Sequence, residues 1–86
     1  MIKKITLNNI DLTDFFGIQN KNLKLIQLSF PNLDITARGV TIKASGKKDD
    51  VNLFEQKINT IVDLCIKQKK ISDNDLKFIL MNKENE

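Results

Sequence analysis

Histidine, tryptophan and tyrosine are absent from this chain, and cysteine and proline occur once each. Without histidine, the commonest general base and metal ligand are missing, and so are the Ser-His and Cys-His nucleophile pairs. The one cysteine, Cys65, cannot form an internal disulfide. Within Ile61-Val62-Asp63-Leu64-Cys65-Ile66 it falls on the apolar stripe of a helix, where a thiol is packing. Five phenylalanines must supply all the aromatic area, so most of them are assigned to the core rather than to a platform on which bases stack. No stretch approaches the ~20 apolar residues of a membrane span or has the pattern of a secretory signal, so a cytoplasmic location with no membrane partner is expected.

Acid–base chemistry lacks its carboxylate pairs as well. Asp49 and Asp50 precede one helical pattern and Asp73 and Asp75 another, where they favour the positive end of the helix dipole. The stretch from Gly39 to Lys48 resembles a nucleotide-binding P-loop only superficially. Six residues separate Gly39 from Gly46 where a P-loop has four, and Lys48 stands where the magnesium-binding Ser or Thr would follow the lysine. Val40, Ile42 and Ala44 alternate with Thr41, Lys43 and Ser45, which predicts a half-buried strand instead.

The composition that remains, 41% hydrophobic and 29% charged in 86 residues, suits one small domain with a single core. The net charge of +3 arises from interspersed bases and acids. It permits weak attraction to nucleic acid without forming a dense basic stripe.

Alternation of Ile5 and Leu7 with polar neighbours predicts a strand over residues 2–9. Asp11 and Thr13 are candidate caps for a short helix through Phe16 that Gly17 stops, and Asn20 is expected to cap a second helix. That helix buries Leu23, Ile26 and Phe30 with Leu25 alongside, and Pro31 marks its exit. Leu33, Ile35 and Ala37 open a β-hairpin turned at Gly39. From Asp49 to about Lys69, Val51, Phe54, Ile58, Ile61, Val62 and Cys65 recur at helical spacing. Lys67, Lys69 and Lys70 then either complement the negative end of that helix or form a phosphate patch. Ser72-Asp73-Asn74-Asp75 reads as a capping box for a final helix holding Leu76, Ile79 and Leu80, followed by a polar tail over residues 82–86.

Phe16-Gly17-Ile18-Gln19-Asn20-Lys21 is the candidate functional motif. A glycine, two free positions and a fourth residue able to take a left-handed backbone, set before an amphipathic helix, present N–H groups at a helix's positive end. With the element order β-α-α-β-β-α this resembles a type I KH module, whose Gly-x-x-Gly loop holds single-stranded nucleic acid. Phe16, Gly17, Asn20, Leu23, Ile26 and Ile35 occupy the positions of that pattern, and residues 40–46 match its third strand and terminal glycine. Residues 15–26 and the hairpin Ile35-Thr36-Ala37-Arg38-Gly39 more closely resemble the N-terminal region of PhoH-like proteins, a bacterial family in which a KH-like segment precedes a P-loop ATPase domain.

That resemblance implies an α+β fold, with a three-stranded antiparallel sheet, helices packed on one face and a short C-terminal helix. It implies a KH-like domain over residues 1–71 and a helical extension over 72–86 leading toward an ATPase domain. ATP and magnesium would belong to that following domain, leaving this chain without cofactor or catalytic residue. Its partners would be single-stranded RNA, the ATPase domain of the same protein and a second copy of itself. The expected nucleic-acid contacts are the loop Gly17, Ile18, Gln19 and Asn20, then Lys21 and Lys24 at the helix start, with Arg38 or Lys43 bordering a groove formed with Ile35. Asn20 in place of the second glycine, and the uncharged Ile18 and Gln19, imply a weakened grip. Two alternatives stay open: Gly17 and Asn20 merely stop one helix and cap the next, or the domain is a protein-interaction or oligomerisation module that binds no nucleic acid.

Overall fold

The period-two runs form one antiparallel sheet of β1 (Ile2–Thr6), β2 (Asp34–Arg38) and β3 (Thr41–Ser45), with β3 in the centre. The computed structural model describes residues 1–69 and 71–81. Register matches residues by character: Ile5 lies opposite Ile42, which lies opposite Ala37, while Ala44 sits between Lys3 and Ile35. Ile42 and Ala44 are fully buried under the helices. Lys4, Thr36, Arg38, Thr41 and Lys43 alternate with those residues and occupy the other face, giving the α+β arrangement with an open sheet.

Two strand boundaries differ from the sequence expectation. β1 ends at Thr6 rather than running to Asn9, because Asn9 takes a left-handed backbone with φ 62°, and Leu7 instead donates its N–H to the Val40 carbonyl at 2.6 Å. Val40 belongs to the hairpin turn and is 48% exposed, not half-buried in a strand. Arg38 pairs with Thr41, so the turn closes over Gly39 and Val40 alone, and Gly39 supplies the positive φ, 55°, that so tight a turn needs.

Among the described residues four α-helices follow the periodic stretches: α1 (Leu12–Phe16), α2 (Lys21–Ser29), α3 (Lys48–Gln68) and α4 (Asp73–Met81). Asp11, not Thr13, caps α1: its Oδ1 accepts from the Thr13 and Asp14 N–H groups at 2.8 and 3.3 Å. α2 stops before Phe30-Pro31. α3 carries Asp49 and Asp50 in its first turn and buries Val51, Phe54, Ile58, Ile61 and Cys65. Ser72 Oγ accepts from the Asp75 N–H at 3.1 Å, the contact a capping box requires. Lys70 and the expected polar tail lie outside the described residues.

One core joins all of these elements. Phe30 meets Phe54 edge-to-face at 5.6 Å, linking α2 to α3, and Phe15 meets Phe16 at 5.2 Å within α1. α4, which the sequence places in an extension beyond residue 71, contributes Leu76 and Ile79 to the same core. Lys57 is buried beneath it and donates from Nζ to the Ile79 carbonyl at 2.7 Å. None of the described helices is long and apolar enough to cross a membrane.

Because Leu76 is fully buried, Leu76→Ala is expected to lower unfolding free energy in urea by about 2–5 kcal/mol in a single transition. An unchanged midpoint would show that α4 lies outside the cooperative unit.

Candidate nucleic-acid interface

Gly17 ends α1 with φ 80° and ψ 169°, its N–H bonded to the Thr13 carbonyl at 2.8 Å. Its own carbonyl accepts from the Asn20 N–H at 3.1 Å, closing a single 3-10 turn, Ile18–Asn20. Both Gln19 and Asn20 are left-handed, with φ 56° and 59°. The sequence anticipates this conformation at Asn20 but not at Gln19. Asn20 also corrects an expectation: it stands at the N-cap position of α2, yet its side chain makes no capping bond. Capping side chains act from an extended backbone, and a left-handed one directs the side chain elsewhere. With Lys21-Asn22-Leu23-Lys24 as its first residues, α2 therefore begins with no capping side chain and no acid in its first turn, and the Lys21 N–H donates to the Ile18 carbonyl.

Asn22, which sequence reasoning passed over, anchors the loop. It is 2% exposed, and its Nδ2 donates to the Phe15 carbonyl at 3.1 Å, satisfying a carbonyl at the end of α1. Its Oδ1 is buried with no partner among the described residues. A Cβ on Gly17 would stand 3.0 Å from Asn22 Cγ and 3.2 Å from the Asn22 nitrogen, so glycine is favoured there by its positive φ and by the close approach of Asn22. The signal that could have revealed Asn22 is its position, one helical turn before Ile26 and two before Phe30 on the stripe that packs inward.

The loop separates two cavities. The first, about 570 Å³, has an apolar wall from Leu12, Phe16, Leu23 and Ala37, with residues 17–20 and Gly39 at its rim. The second, about 650 Å³, shares Gly17, Ile18 and Gln19 and adds Lys21 and Lys24, opposed by Asp14 and Asp73. The expected contact residues are thus not assembled in one place. Residues 17–20 border the apolar groove, while Lys21 and Lys24 lie on the loop's other side. Ile35 is 6% exposed and belongs to the core, and its carbonyl accepts from Gln27 Nε2 at 3.0 Å. Arg38 and Lys43 face away from it, on the open side of the sheet with Lys4. Strand alternation accounts for this, because odd and even residues of β2 point to opposite faces.

No protein-family model, curated protein or solved structure matches this chain. Its chemistry is therefore read from geometry alone. Among the described residues no group of three or more His, Cys, Asp or Glu side chains is placed to hold a metal ion. Cys65 is buried, and burial pushes its thiol up from the usual range, with Asp14 and Asp11 adding to the effect, so the reactive thiolate is disfavoured. Lys21 Nζ lies 2.7 Å from Asp73 Oδ1, which ties the cation beside the loop to the start of α4. The hydrogen bond from Lys21, more than its charge, holds the Asp73 carboxyl below its ordinary 3.8.

Two outcomes are expected. Gly17→Ala costs about 2–3 kcal/mol in urea unfolding, from positive φ and crowding against Asn22. Gly39→Ala, with open space around it, costs about 1 kcal/mol. Equal losses would contradict the close packing at Gly17. In an NMR titration the Asp73 carboxyl titrates below the ordinary carboxylate value, and Lys21→Met returns it there. Because the folded-state pKa is the lower one, the pair's small stabilisation is present above the unfolded value and disappears as pH falls through the folded one.

Proposed function

We propose that this chain is a non-catalytic KH-like module of a PhoH-like ATPase, which binds single-stranded RNA weakly beside the loop of residues 17–20 and guides an attached ATP-binding domain to it in the cytoplasm. The observation that carries this reading is the uncapped start of α2. Two consecutive left-handed residues turn the chain into a helix with no capping side chain and no acid in its own first turn, next to an apolar groove of about 570 Å³. Such a helix start attracts phosphate, and the groove walls from Leu12, Leu23 and Ala37 offer apolar surface to bases. Lys24 adds attraction from the loop's far side, while Asp73 draws on Lys21, so the grip is weak.

A second reading has one observation in its favour. Phe78 and Met81 on α4 are 71% and 73% exposed and one turn apart, which suits contact with a following domain or with a second copy.

Fluorescence anisotropy with labelled single-stranded RNA separates the two. RNA binding through the loop predicts salt-sensitive affinity that falls severalfold in Lys24→Gln. It also predicts that Asp73→Asn, by releasing Lys21, tightens binding about two- to fivefold. A chain that ignores RNA at low salt, yet self-associates in light scattering until Phe78→Asp is introduced, would overturn the first reading in favour of the second.

A further inference from the structure

The open face of the sheet carries three cations whose arrangement the loop does not explain. Register sets Lys4 directly opposite Lys43, and Lys43 directly opposite Thr36, while Arg38 faces Thr41 on the neighbouring pair. Directly opposed side chains in an antiparallel sheet stand about 5 Å apart at Cβ, where like charges destabilise. Among the described residues none of Lys4, Arg38 and Lys43 has an acidic partner, since the ion pairs formed are Lys3 with Glu55 and Lys21 with Asp73. Asp34, the one acid in these strands, shares this face at the opposite end of β2 from Arg38 and diagonal to Lys43, without forming an ion pair among the described residues. Protection of sheet edges accounts for charge on β1 and β2 but not for Lys43, which sits in the central strand.

We propose that this face binds the sugar–phosphate backbone of a single-stranded nucleic acid that continues from the groove around the edge of β2. This rests on the loop reading above. β2 joins the two surfaces because Ala37 lines the groove while its neighbours Thr36 and Arg38 line an open depression of about 560 Å³ on the other side with Lys4, Thr41 and Lys43. The chemistry matches phosphodiesters: cations for the charge, and the hydroxyls of Thr36 and Thr41 to donate to phosphate oxygens. No aromatic side chain lies in the three strands, so contact there is to backbone and independent of sequence.

The 86-residue chain is to be titrated at roughly 50 and 200 mM salt with a labelled tetranucleotide and with a single strand of about twelve nucleotides. In the double variant Lys4→Thr, Lys43→Thr, the longer strand is expected to bind more weakly, with the slope of log K against log salt reduced by about 1.4. The tetranucleotide is expected to be unaffected. The same variant should unfold at higher urea than the parent, since opposed like charges are removed and threonine favours strands. Wild-type affinity and slope for the longer strand, or an equal loss for both lengths, overturns the proposal. So does binding to phosphatidylserine vesicles without binding to either strand. Dependence of the longer strand on Lys4 and Lys43, but none of either strand on Lys24, would sustain this face and overturn the loop reading. The converse pattern would do the opposite.

Discussion

The contact between Asn22 and the end of α1 fixes how the first half of the chain is assembled. α1 spans only Leu12–Phe16, too short to hold its shape by its own ladder. Its direction is set at one end by Asp11 and at the other by the Asn22 amide, which takes up the Phe15 carbonyl. That bond draws α2 so close to Gly17 that a Cβ there would press on Asn22. Phe15 and Ile26, both fully buried, then join one core from adjoining helices. The loop geometry is thus a consequence of core assembly, and whatever the loop binds, it binds from a rigid frame.

The sheet divides the charge of the molecule as it divides the polarity. Lys3, on the helix side, reaches Glu55 of α3 at 3.1 Å, and Lys57 donates to a carbonyl of α4. On the open side Lys4, Arg38 and Lys43 lie together. A net charge of only +3 conceals this, because acids in the first turns of α3 and α4 offset cations that stand together on the open face. Composition measures the sum, whereas a polyanion responds to the local field.

Much of the fold was legible because the sequence patterns are consistent with one another. Ile42 and Ala44 at period two, and the buried stripe of α3 at period three to four, leave little freedom in the number and order of elements. Boundaries were less legible where backbone conformation and register decide them: β1 stops at Thr6, short of the left-handed Asn9, and the pairing of Arg38 with Thr41 leaves Val40 in the turn, neither of which periodicity encodes. The candidate site was legible at residues 17–20 because glycine placement marks a turn. It failed at Arg38 and Lys43 because the face a strand residue takes depends on which neighbours are buried, and Ile35 goes into the core. Asn22 was overlooked because a polar residue on a buried stripe has meaning only once its partner is known.

The structural alternative for the loop, a stop followed by a cap, would ask less of the backbone than the chain supplies. A simple cap needs Asn20 extended, with its side chain closing the first turn of α2. Instead Gln19 and Asn20 both adopt left-handed conformations, each costing about 1–2 kcal/mol for a residue other than glycine, and the capping bond is forgone. Gln19 is exposed and gains no burial in return. The frame held by Asn22 and by the Gly17 carbonyl tolerates this strain, and its result is a helix start with no side-chain cap, where the Ile18 carbonyl takes up the Lys21 N–H. Strain of that kind collects where a loop must hold a shape for a ligand rather than for itself, which favours an anion at the head of α2 over a turn that only joins two helices.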